Sequence, residues 1–266
     1  MHTPRKRFGQ NFLVDQQVIH DIVYAIHPIA DDVMVEIGPG LGALTRPLLD
    51  TLKHLHVVEI DRDIVHTLQK QYPPEQLTIH AADALKFDFG SLGERFRVVG
   101  NLPYNISTPL LFHLADFASR VIDMHFMLQK EVVERMVAAP SSSDYGRLSV
   151  MLQYRFEMEN LLTVPPGAFR PAPKVESAVV RMIPYLALPH PAHNEQLFAR
   201  VVSAAFAQRR KTLRNTLSLY LKPDDFITLA IDPVLRAENL GMADFVKIAN
   251  YVEAAGGPTP SAEDAP

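Results

Sequence analysis

An α/β fold is predicted for the first two-thirds of the 266-residue chain, with a small all-helical domain after it. Three observations predict this. Val33-Met34-Val35-Glu36-Ile37 is a strand-like run that breaks into Gly38-Pro39-Gly40-Leu41-Gly42-Ala43, and a helix start follows at Leu44. Strand-like and helical segments then alternate to about residue 138, the pattern of a parallel sheet with helices on both faces. From His193 to Ala254 only helical periodicity remains.

Each element has its own justification. Val18, Ile19, Ile22, Val23 and Ile26 line one face of a helix that Asp15 can cap. Strand 33–37 leads through the glycine turn to helix 43–53, and strand 54–60 leads to helix 62–71, capped by Asp61. Strands 77–80 and 96–100, helix 107–118, strand 121–129 and helix 130–138 complete the alternation. A serine-rich loop separates this part from helix 146–154 and strand 156–162. Residues 164–173 hold too many prolines for regular structure, since each removes a backbone donor. Strand 177–183 and a proline-rich linker follow. In the helical part Asp224 and Asp244 are candidate caps and Gly241 a candidate stop. The expected domains are therefore 1–188, 189–254 and a disordered tail at 255–266, poor in apolar residues.

Hydrophobic residues make up 47% of the chain, enough for a substantial core. The absence of cysteine excludes disulfides, zinc ribbons and thiol nucleophiles, and agrees with a reducing compartment. No apolar run approaches the roughly 20 residues of a membrane span, and the basic Met1–Arg7 start is not followed by an apolar signal core. A soluble cytoplasmic protein without membrane association is expected. The eleven histidines show no ligand spacing of the His-Glu-x-x-His kind, so no metal is expected. Net charge is −4, yet residues 166–250 carry +4 while 31–165 carry −6. Residues 200–214 hold five bases and no acid: Arg200, Arg209, Arg210, Lys211 and Arg214. Such a patch suits a phosphate backbone, although a solvated helix face would read the same way.

The chemistry is concentrated in two places. In a strand, glycine turn and helix, a backbone can approach a nucleotide-like ligand, because a Cβ would block the approach or the positive φ of the turn. Glu59 ends the next strand, 21 residues beyond Gly38, where doubly wound folds place a carboxylate for ribose hydroxyls. Both a dinucleotide and S-adenosylmethionine share this geometry, and the glycines do not choose between them. The second place is Gly100-Asn101-Leu102-Pro103-Tyr104, at the end of a strand. The Asn101 side chain and the Leu102 carbonyl, which precedes a residue with no amide hydrogen, can both accept from an exocyclic amino group. Tyr104 can stack on the ring that carries it. A hydride-transfer enzyme has no use for such an amine clamp, which favours S-adenosylmethionine.

These motifs stand in order with others: Gln10-Asn11-Phe12-Leu13, Val58-Glu59-Ile60-Asp61, Asp83-Ala84, Phe169-Arg170-Pro171-Ala172-Pro173-Lys174-Val175 and Phe206 to Asn215. Together, over roughly residues 5 to 250, the chain resembles the ribosomal RNA small-subunit adenine N6-dimethyltransferases of the KsgA/RsmA type. The resemblance implies a Rossmann-like class I methyltransferase sheet. It also implies transfer of methyl groups from S-adenosylmethionine to N6 of two adjacent adenosines, in a hairpin loop near the 3′ end of 16S ribosomal RNA. It places that reaction late in assembly of the 30S subunit, the RNA being met within the subunit or its precursor, with the enzyme a monomer. By resemblance, Asn11 and Leu13 close over the donor, Gly38 and Gly40 approach its amino-acid tail, Glu59 takes its ribose and Asp83 its adenine amino group. Asn101, Leu102, Pro103, Tyr104 and Phe169 are the expected catalytic set, with Phe169 facing the target base opposite Tyr104. Asn101 is counted among the donor contacts as well. Arg5, Lys6, Arg7, Arg209, Arg210, Lys211 and Arg214 are the expected RNA contacts. A nicotinamide oxidoreductase and a non-catalytic RNA-binding assembly factor are the competing readings.

Overall fold

The computed structural model describes residues 11–256. The chain divides into two units. The first comprises the described residues to Val133 together with Phe156–Pro184, and the second comprises Glu134–Arg155 and the chain from Tyr185 onward. No helix among the described residues is long and apolar enough to cross a membrane.

The first unit opens with β1 (Phe12–Leu13) and α1 (Gln16–Ile26). The Asp15 carboxylate accepts from the backbone N–H of Gln17 and Val18, as a helix cap should. The strands of the main sheet are β2 (Met34–Ile37), β3 (Leu55–Glu59), β4 (Leu77–Ala81), β5 (Phe96–Asn101), β6 (Val121–Gln129), β7 (Phe156–Val164) and β9 (Ser177–Pro184). They lie in the order β4-β3-β2-β5-β6-β9-β7. Neighbours from β4 to β6 are parallel, while β9 runs antiparallel between β6 and β7. Helices α2 (Thr45–Leu49), α3 (Arg62–Gln71) and α4 (Ser107–Ala115) make the crossovers. Every residue of β2 is buried, which is why it reads as an unbroken apolar run and not as an alternation. α2 is shorter than the predicted 43–53; past Leu49 the chain tightens into a turn in which the Thr51 N–H bonds the Leu48 carbonyl, three residues back, at 3.1 Å.

Two features escaped the sequence reading. The proline-rich segment supplies a two-residue strand, β8 (Phe169–Arg170), that pairs antiparallel with β1. The Val14 amide extends this pairing by donating to the Ala168 carbonyl at 2.8 Å. The other is the boundary between units, predicted at 188/189 with 134–155 in the first. That segment instead joins the helical unit, through the end of α5 (Lys130–Val137) and through α6 (Arg147–Gln153). Ala138, Tyr145, Val150 and Tyr154 share a core with α7 (Glu195–Phe206) and α10 (Met242–Ala254), and the Tyr154 ring lies 4.6 Å from that of Phe198. α8 (Leu213–Thr216) and α9 (Pro223–Thr228) complete this unit. Gly241 precedes α10 and does not stop a helix; its N–H donates to Asp244 at 3.0 Å.

Candidate active site at the carboxyl ends of the strands

From β2 the chain goes to β3 on one side, whereas β5 lies on the other. At such a reversal of strand order the connections leave in opposite directions and open a crevice beyond the carboxyl ends. A cavity of about 790 Å³ lies there, lined by the glycine turn, the ends of β3 and β5, and the chain around β1. Gly38, Gly40 and Gly42 all have positive φ, at 66°, 55° and 86°. A Cβ on Gly40 would lie 3.1 Å from the Phe12 ring, and one on Gly38 would lie 3.9 Å from the Asn101 carbonyl oxygen. The glycine turn and the Asn101–Tyr104 segment are thus neighbours across the switch point.

The expected donor-binding residues Asn11, Leu13, Gly38, Gly40, Glu59 and Asp83 all line this cavity, as do Asn101, Leu102, Pro103 and Tyr104. The Asn101 amide donates from Nδ2 to the Asn11 carbonyl at 3.0 Å. This fixes the amide's orientation and leaves Oδ1 as the acceptor on the other side. The Leu102 N–H is used by the Met127 carbonyl at 3.1 Å. The Tyr104 hydroxyl lies 2.7 Å from that of Ser177, and burial pushes its pKa up.

Phe169 requires a correction. It does not line the cavity; it is completely buried, in the same core cluster as Leu13, Val99 and Val179. Pairing of β8 with β1 turns its ring into that core. In this structure it is a core aromatic and not a second face for a base.

Acidic groups dominate the cavity. Glu36, Asp50, Glu59 and Asp83 line it, with Arg46 the basic residue among them. One Glu59 carboxylate oxygen accepts from the Asp61 N–H at 2.8 Å. Burial nevertheless raises its pKa, and the backbone N–H groups of Asp61, Ile60 and Gly40 hold the rise back. Glu36 is not among the expected site residues; from sequence it reads as either structural or near the methionine ammonium. It is buried, accepts from Thr45 Oγ1 at 2.6 Å, and desolvation lifts its pKa to about 7. The available signal was a lone carboxylate inside an apolar strand, directly before the turn. Walls with this charge oppose a pyrophosphate and suit a ligand that carries positive charge and hydroxyl groups. The residues present therefore fit S-adenosylmethionine better than a dinucleotide.

In the second unit Arg209, Arg210, Lys211 and Arg214 are all exposed. Arg209 donates to the Ser143 carbonyl at 2.6 Å and stands 3.6 Å from Glu238. Arg209, Arg210 and Lys211 lie in the turn between α7 and α8, and Arg214 lies in α8. Arg5, Lys6 and Arg7 lie outside the described residues.

The doubly wound sheet with an antiparallel β9, and the glycine turn facing the Asn101–Tyr104 segment across one cavity, have the form of a class I methyltransferase. The family description "Ribosomal RNA adenine dimethylase" matches residues 1–254. The chain belongs to this family: it is an S-adenosylmethionine-dependent ribosomal RNA adenine dimethyltransferase. A relative from Thiobacillus denitrificans named "Ribosomal RNA small subunit methyltransferase A" is 69% identical over 252 residues, covering 95% of this chain and 99% of that one. A relative of the same name from Methylobacillus flagellatus is 67% identical over 253 residues, covering 95% and 99%. The crystal structure of a dimethyladenosine transferase from Plasmodium falciparum superimposes with a TM-score of 0.79 at 26% identity, covering 92% of this chain and 98% of that one.

Proposed function

We propose that the protein dimethylates N6 of two adjacent adenosines in a hairpin loop near the 3′ end of 16S ribosomal RNA. It acts as a cytoplasmic monomer on the 30S subunit or its precursor, late in assembly. The observation that carries this reading is the single cavity in which the Gly38–Gly42 turn faces the Asn101–Tyr104 segment.

S-adenosylmethionine, when bound, supplies an electrophilic methyl group. Gly38 and Gly40 accommodate its amino-acid part, Glu59 accepts from the ribose hydroxyls, Asp83 accepts from its adenine amino group, and Asn11 and Leu13 cover it. The difficulty lies with the acceptor. The N6 lone pair is delocalised into the purine ring, which makes the nitrogen a weak nucleophile. Asn101 Oδ1 and the Leu102 carbonyl accept from the N6 hydrogens. The nitrogen is thereby drawn toward a pyramidal shape, and its lone pair is freed and aimed. Tyr104 stacks on the base, which has to leave its RNA stack to arrive there. Positioning supplies most of the rate, and no strong base is required, since an alkylated N6 loses its proton readily to water or a carbonyl. The clamp holds the amine by acceptors and does not enclose it, so the monomethylated base can re-enter. Basic residues 209–214 contact the phosphate backbone.

The test is transfer of labelled methyl to small subunits from a strain lacking this modification, with the labelled bases mapped. Label on N6 of two adjacent adenosines near the 3′ end supports the reading; label elsewhere, or none, contradicts it. A thermal shift with S-adenosylhomocysteine and none with NAD separates the reading from the oxidoreductase.

A further inference from the structure

We propose that Ser177 is a positioning residue for methyl transfer, its hydroxyl pinning the Tyr104 ring as a fixed wall of the acceptor pocket. This rests on the reading of Tyr104 as the stacking face for the target adenine. The two hydroxyl oxygens are 2.7 Å apart, a good O–H···O bond. Ser177 is a rigid anchor. It is completely buried at the start of β9, opposite Gln129 of β6 on one side and Val164 of β7 on the other. Its backbone is thus fixed by two antiparallel ladders. Tyr104 is different: it is half-buried and sits on a turn, where Ile106 N–H bonds the Pro103 carbonyl and Ser107 Oγ bonds the Tyr104 carbonyl. That turn fixes the Cα of Tyr104 but leaves its side-chain rotamers open. With Oη held as well, the ring cannot swing out of the pocket wall. A stacked base would then meet a surface already in place, and the ordering cost would be met on folding and not in the reaction.

The experiment is a double-mutant cycle in the full-length enzyme with small subunits lacking the modification, using Ser177→Ala, Tyr104→Phe, the double variant and Tyr104→Ala. For Ser177→Ala and Tyr104→Phe the expected result is a kcat lowered by about tenfold, with KM for the methyl donor unchanged. The double variant is expected to be no worse than either single one, since each removes the same bond. A wild-type kcat in both single variants overturns the proposal. So do losses that multiply in the double variant, which mark an independent structural role for Ser177. If Ser177→Ala does not fold, Tyr104→Phe carries the test, because it deletes the bond and keeps the serine. Tyr104→Ala separates the two levels. An inactive Tyr104→Ala beside fully active Tyr104→Phe and Ser177→Ala keeps the stacking and removes the role of Ser177. A fully active Tyr104→Ala removes both.

Discussion

Glu59 ends β3 and Asn101 ends β5, on either side of β2, and both line the cavity, where the proposed mechanism gives Glu59 to the donor and Asn101 to the acceptor. Glu59 is an acceptor held almost out of water, with one oxygen already used by Asp61. Glu59→Gln leaves the shape and removes the charge. Affinity for S-adenosylhomocysteine, measured by titration calorimetry, is expected to fall by about tenfold or more, as befits hydrogen bonds to a charged group. An unchanged affinity would remove Glu59 from the ribose. At this scale the sequence was most legible where residue type is constrained by chemistry: glycines with positive φ, an acid at a strand end, and Asn and Tyr flanking Leu-Pro. It was least legible where environment decides the role. Phe169 could stack or fill a core, and only the β1–β8 pairing turns it inward. Ser177 reads as an ordinary strand start until its hydroxyl is seen beside Tyr104.

At the scale of elements, the crevice depends on β2 and β5 ending side by side. A Cβ on Gly100 would stand 2.6 Å from the Ile37 carbonyl oxygen, which neither backbone can relieve without shifting. Gly100→Ala is expected to cost about 1–3 kcal/mol, read as a lowered midpoint in urea, and to widen the crevice. The other end of β5 is tied by Arg97, a buried guanidinium. It bonds both oxygens of Asp123, one oxygen of Asp32, and the carbonyls of Ile26 and His27. Arg97→Met would leave two carboxylates without their cation, and a loss of about 3–5 kcal/mol in the same unfolding measurement is expected. The long elements were legible from periodicity. β1 and β8 were not, because a two-residue strand offers no alternation to read. The 134–155 segment was misplaced because its helix continued the alternation seen in sequence, whereas its apolar face belongs to the core of α7 and α10.

Over the whole molecule, buried titratable groups set the pH response. Desolvation lowers the pKa of His56 and of His125 to about 4, and lowers that of His80 as well. Both ring nitrogens of His125 are buried without a hydrogen-bond partner, and Asp123 stands 3.8 Å away. Each of these groups is neutral in the fold and charged in the unfolded chain at mild acidity. Stability is therefore lost as pH falls from about 6.5 toward 4, and His125 alone accounts for about 2 kcal/mol at pH 5. Glu36 works in the opposite sense: its raised pKa favours the folded state below about 4.5, and that contribution is lost as pH rises through about 7. In a comparison of wild type with His125→Leu by thermal unfolding, the fall in Tm between pH 7 and pH 5 is expected to shrink in the variant. Parallel profiles would show that His125 does not titrate as its surroundings dictate. None of this was visible in the sequence, where eleven histidines differ only in neighbours along the chain.

The central claim is that the Asn101 side chain grips the acceptor amine beside a donor held by the glycine turn. Single-turnover methyl transfer by Asn101→Ala, with S-adenosylhomocysteine affinity measured on the same sample, tests it most directly. The expected result is transfer slowed by about a hundredfold or more, the scale of a lost transition-state contact, with a far smaller loss of affinity for the donor product, since Asn101 also holds Asn11 beside the donor site. Transfer at the wild-type rate would contradict the account.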